Sequence, residues 1–167
     1  MKHKVVKQQY ISEMCFGCGK DNPGGIKARF YELEDGRVVS LFQPGEMFQS
    51  YPQRMHGGVS ASIMDETLGR VILASEPDSW AVTAELTIRY KKPAPLDTPL
   101  KVVAELTENN RRVFKARGEM LLPDGTVAVT AEGTYVKQPL SKIADLSQAD
   151  PAKIMIDVEN DLEYIEF

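Results

Sequence analysis

Residues 56–69 read His56-Gly57-Gly58-Val59-Ser60-Ala61-Ser62-Ile63-Met64-Asp65-Glu66-Thr67-Leu68-Gly69. In this stretch and just beyond it, Val59, Ile63, Met64, Leu68, Val71 and Ile72 recur at three- and four-residue steps. That period predicts an amphipathic helix from Gly57 to Ser75. It stops before Pro77, which biases the residue ahead of it out of helix. On a 3.6-residue wheel Ala61, Asp65, Leu68, Gly69 and Ile72 share one face, so Asp65 interrupts a stripe of small and apolar residues. A carboxylate there needs a partner or a task. Glu66 lies with Ser62 and Arg70 and reads as a solvated charge within i+4 reach of Arg70.

At the start of the predicted helix, Gly57 and Gly58 either permit an abrupt entry and close packing or let a ligand approach backbone N–H groups. Those amides carry the positive end of the helix dipole and suit a polarised carbonyl oxygen.

The flanking segments read as strands. Lys27–Leu33 and Arg37–Phe42 are joined by a Glu34-Asp35-Gly36 turn. Beyond the helix, 79–90 alternates between Trp80, Val82, Ala84, Leu86, Ile88 and Tyr90 on one side and Ala81, Thr83, Glu85, Thr87 and Arg89 on the other. Strands over 100–107, 112–122 and 126–137 follow, the last two around Pro123-Asp124-Gly125. Two strands, one long helix and four strands make an α+β fold, in which an antiparallel sheet wraps the helix.

The 167 residues suit one domain. With 43% hydrophobic and 26% charged residues, the chain is globular and needs no staple. The sequence divides into a polar lead (1–14), the α+β domain (15–139) and an acidic extension (140–167) read as short helices or an appendage. The extension holds seven acids and two lysines, so a formal net charge of −4 conceals a body of +1. Folded across basic strand ends, such a tail would compete with an anionic ligand. The overall charge argues against nucleic acid as a partner. No apolar run reaches the ~20 residues of a membrane span, and no signal segment is visible, so a cytoplasmic location is expected. Cys15 and Cys18 are half of a zinc ligand set, and a turn of small residues is the better reading, with no metal assigned.

The stretch 56–69 resembles the helix signature of hotdog-fold acyl-CoA thioesterases of the PaaI-like (phenylacetate-pathway) branch, in which an acid follows the histidine by nine positions. The resemblance continues through 82–94, 110–113 and 124–128, and Cys15-Phe16-Gly17-Cys18-Gly19-Lys20-Asp21-Asn22-Pro23 is similar to a leader of one subset. It implies a hotdog fold and hydrolysis of an acyl-CoA thioester, with no cofactor beyond the coenzyme A of the substrate. Asp65 takes the acid position, as general base or as nucleophile. Gly57 and Gly58 would polarise the carbonyl, His56 would orient the site, and Thr83 would hold the water or the carboxylate. Relatives place Asn or Gln about six residues before the histidine; here that position is Ser50, with Gln49 and Gln53 nearby. Arg89, Lys91, Lys92, Arg111 and Arg112 are candidates for the nucleotide phosphates.

Asp65 lies eight residues, roughly 12 Å, beyond Gly57 along a helix axis. One carbonyl cannot touch both, so a homodimer with composite sites is expected, and two dimers can pair further. The alternatives are a non-catalytic acyl-CoA or fatty-acid binding hotdog protein and a hotdog hydratase. Asp21-Asn22-Pro23 lacks the spacing and the histidine of the hydratase element.

Overall fold

A computed structural model describes residues 1–147 and 150–167. Its order is β1 (Lys2–Gln8), β2 (Arg29–Leu33), β3 (Val38–Phe42), α1 (Gly57–Arg70), β4 (Ala81–Tyr90), β5 (Leu100–Asn109), β6 (Val113–Leu121), β7 (Val127–Lys137), α2 (Leu140–Ile143) and β8 (Tyr164–Glu166). The strands form one sheet in the order β4-β7-β6-β5-β3-β2-β1-β8, with antiparallel neighbours throughout. The sheet wraps around α1, which packs against β3 to β7. This is the hotdog architecture.

The predicted helix is divided. α1 ends at Arg70, and Val71–Ala74 tightens into a 3₁₀ turn that still buries Val71, Ile72 and Leu73. Ile63, Met64 and Leu68 of α1 lie fully buried with Phe114, Val102 and Met120 of the sheet. Hydrocarbon burial of this kind, about 25 cal/mol per Å² of apolar area, is what seats the helix. Gly36 and Gly125 take φ of +84° and +80° in the two hairpin turns read from the sequence, a conformation that favours glycine.

Two strands differ from the sequence reading. Lys2–Gln8, read as part of a polar lead, is β1, and Tyr164–Glu166, in the acidic tail, is β8. Together they bury a second apolar cluster of Val5, Tyr31, Leu33, Val39 and Ile165 on the far face of β2 and β3. Asp161 accepts from the Tyr31 hydroxyl at 2.9 Å and from Arg29 at 2.8 Å. β8 therefore closes the edge opposite β4 and does not cross the strand ends that carry Lys91 and Lys92. Glu66 is a further correction. It is half-buried rather than solvated, because the leader packs over that helix face, while its pairing with the buried Arg70, read from the i+4 spacing, is present at 2.9 Å.

β4 carries a bulge. Thr83 pairs with Tyr135 and Glu85 with Thr134, leaving Ala84 unopposed. An extra residue reverses side-chain parity beyond it. Thr83 and Ala81 thus join Leu86, Ile88 and Tyr90 on the helix side, which simple alternation denied them.

Candidate active site

α1 runs antiparallel to β4, so its two ends meet the two ends of that strand. At its start, the Tyr90 hydroxyl donates to the Gly57 carbonyl at 2.8 Å. Further along, Asp65 faces Thr83.

His56 is the N-cap of α1, with extended ψ of 137°, and its Nδ1 accepts from the Gly58 amide at 2.9 Å. A ring nitrogen that accepts carries no proton, so the neutral ring bears its proton on Nε2. This occupies one of the two amides expected to hold a carbonyl. The Gly57 amide, at the first helical position, has no intrahelical acceptor and bonds to no other described residue. It opens onto a cleft of about 380 Å³ lined by Ser50, Tyr51, Arg54, Tyr90, Lys91 and Lys92, among others.

Asp65 is held by two hydroxyls. Thr83 donates to Oδ1 at 2.9 Å and lies 3.1 Å from Oδ2. Tyr135 donates to Oδ1 at 3.0 Å. Oδ1 is thus the anchored oxygen, and Oδ2 is the one left for a water or an electrophile. The Tyr135 ring is buried and stacks on Phe114 with centroids 4.9 Å apart. Burial, and then the Asp65 charge, push its phenol far above its ordinary value, so it remains a donor. Glycines make its slot: a Cβ on Gly133 would lie 2.6 Å from the ring, and one on Gly69 3.3 Å. Trp80, Tyr10 and Leu73 complete a cleft of about 170 Å³ around Asp65.

The structure brings His56, Gly57, Ser50, Lys91 and Lys92 to one end of α1, and Asp65 with Thr83 to the other. Gln49 is drawn off, its side chain accepting from the Gln53 amide at 3.0 Å. Gln53 itself takes a left-handed φ of 62° in that turn. Arg89 lies with Arg37 and Arg117 on the outer face of the sheet, away from Gly57. Arg111 and Arg112 are exposed in the β5–β6 turn, at the Ala81 end of β4 and not the Lys91 end. The sequence reading missed Tyr135, whose only signal was alternation in β7. Arg70 also stands out, buried between the Tyr10 and Phe30 rings at 5.0 and 4.2 Å.

No described helix is long and apolar enough to cross a membrane. Residues 53–129 match the family described as Thioesterase superfamily. A Mus musculus protein named acyl-coenzyme A thioesterase THEM4 is 34% identical over 111 residues, 66% of this chain and 47% of that protein. The chain spans about half the length of the curated relatives it matches. The crystal structure of a thioesterase superfamily protein is 31% identical, covers 71% of this chain and 60% of its own, and superposes with a TM-score of 0.65. The Escherichia coli PaaI protein of the phenylacetic acid degradation operon is 15% identical over 68% of this chain and 81% of its own. Its TM-score of 0.62 marks a shared fold. Residues 53–129, which span α1 and the site strand β4, thus carry a likeness to the thioesterase superfamily on a hotdog fold.

Proposed function

We propose that this protein is an acyl-CoA thioesterase of the PaaI-like branch, working as a homodimer. The observation that carries the reading is the carboxylate of Asp65, whose Oδ1 is held by Thr83 and Tyr135 while Oδ2 shares only the Thr83 hydroxyl among the described residues. A protein that only bound an acyl chain would have little use for it. Relatives named acyl-coenzyme A thioesterase support the substrate class.

In this reading the thioester carbonyl accepts from the Gly57 N–H, and the helix dipole favours the developing oxyanion. His56 fixes the amide geometry by capping the turn. Asp65 either takes a proton from the attacking water or attacks the carbonyl carbon itself, and the released thiolate collects a proton as coenzyme A. Water and thioester become acid and thiol.

Within one chain the two groups lie roughly 12 Å apart along α1. β4 is a free edge of the sheet and exposes Val82 and Tyr90. Two copies joined antiparallel along β4 would set the Gly57 end of one beside the Asp65 end of the other. The same two-fold would bring Arg111 and Arg112 of one copy toward Lys91 and Lys92 of the other, around the nucleotide.

A thiol-release assay over short, medium, long and aromatic acyl-CoAs tests the activity. Release from at least one class is expected. A folded dimer that releases thiol from none overturns the reading.

A further inference from the structure

Beside the Asp65 cleft lies a second group of reactive side chains that the hydrolysis does not use. The free Cys15 and Cys18 of the leader meet Glu66 of α1, with their sulfurs and a carboxylate oxygen all within 4.8 Å of one another. Cys15 Sγ stands 4.0 Å from Glu66 Oε2.

Two residues, Gly17 and Arg70, aim these three side chains. The Gly17 amide donates to Cys15 Sγ at 3.3 Å. Arg70 Nη2 donates to Cys18 Sγ at 3.1 Å, and its Nε donates to Glu66 Oε1 at 2.9 Å. Oε2 is thereby turned toward Cys15. Arg70 is itself fixed, because Nη1 donates to the Tyr10 carbonyl at 2.9 Å. Gly17 lets Glu66 approach, since a Cβ there would lie 2.9 Å from Glu66 Cγ.

We infer that Cys15, Cys18 and Glu66 bind a divalent cation of the zinc class through three protein ligands, with a fourth position for water. Zn–S of about 2.3 Å and Zn–O of about 2.0 Å give tetrahedral edges of roughly 3.5–3.8 Å. With all three atoms within 4.8 Å of one another, the cluster reaches that size by closing at most about 1.3 Å. Thiolates select zinc over magnesium or calcium. Two thiolates and a carboxylate beside one guanidinium leave two negative charges, which a divalent cation cancels. Arg70 and Gly17 then act as the outer donors that hold such ligands in orientation. The ion would clasp the leader onto α1 at the residue next to Asp65. The inference does not depend on the thioester chemistry.

The test uses the full chain purified in reductant without chelator. About one zinc per chain is expected by elemental analysis. Exchange for Co²⁺ should produce a thiolate-to-cobalt charge-transfer band with the visible bands of a tetrahedral ion. The double variant Cys15→Ser/Cys18→Ser should lose both metal and band, and Glu66→Gln should weaken cobalt binding at least about tenfold. Should the double variant not fold, the wild-type protein still decides, because added zinc should slow alkylation of Cys15 about tenfold or more. A metal-free wild type with no cobalt band, zinc retained by the folded double variant, or an alkylation rate indifferent to zinc overturns the site.

Discussion

The two ends of α1 are opposite in kind. The Gly57 end offers a donor with no acceptor among the described residues, in an open cleft rimmed by Lys91, Lys92 and Arg54. The Asp65 end offers an acceptor with two donors, in a small cleft backed by the buried Tyr135. The first suits a substrate that brings negative charge and changing shape. The second suits a reacting atom whose position must not vary. Each end is half of what the proposed thioester hydrolysis needs, and α1 holds the halves apart.

The largest effect is expected at the rigid end. Asp65→Asn should lower kcat about 10²–10⁴-fold with little change in KM. A variant within tenfold of wild type would remove Asp65 from the chemistry.

Next comes Gly57→Pro, which deletes the amide hydrogen at the first helical position, where proline is tolerated. The extended ψ of His56 already suits a following proline. Its kcat should fall about 10²–10³-fold with helicity by circular dichroism unchanged. Mixing Asp65→Asn chains with Gly57→Pro chains sharpens the comparison. If each site draws on both copies, random re-pairing restores about a quarter of wild-type activity. No recovery, with subunit exchange verified, means that the two ends do not cooperate between copies.

Tyr135→Phe keeps the stack on Phe114 and removes only the hydroxyl. A hydrogen bond to a charged group is worth about 1.5–3 kcal/mol. We therefore expect kcat to fall about 10–100-fold at constant KM, and a rise in KM alone would move Tyr135 from positioning Asp65 to binding substrate. The smallest effect belongs to the open end. Lys91→Ala with Lys92→Ala should raise KM a few-fold, and added salt should erase the difference, because exposed charges are screened over about 8–10 Å. A salt-independent loss would point to a folding defect.

Much of the frame could be read from the residues. The helical period over 57–75 and the turns at Gly36 and Gly125 are local signals, and the elements they predict are present, with the α-helix ending at Arg70. β1 escaped because most of Lys2–Gln8 is exposed and polar and buries too few apolar residues to show a period, and β8 because three residues carry none. Asp65 stood out as a charge in an apolar stripe. Tyr135 did not, for it meets Asp65 across 70 positions of chain and only through the pairing of β4 with β7. Likewise, the occupation of the Gly58 amide by His56 depends on a side-chain rotamer that no spacing encodes.

Ala84 has a consequence out of proportion to its size. Counted from Tyr90, the two-residue repeat of β4 would turn Thr83 toward solvent, and the one unopposed residue turns it back. Drawing Ala84 into the ladder opposite Tyr135, in place of Thr83, would leave the pairing from Glu85 to Tyr90 as it is and rotate the hydroxyl off the carboxylate. Membership of this site is therefore a matter of odd and even, set by the register of a strand as well as by its chemistry.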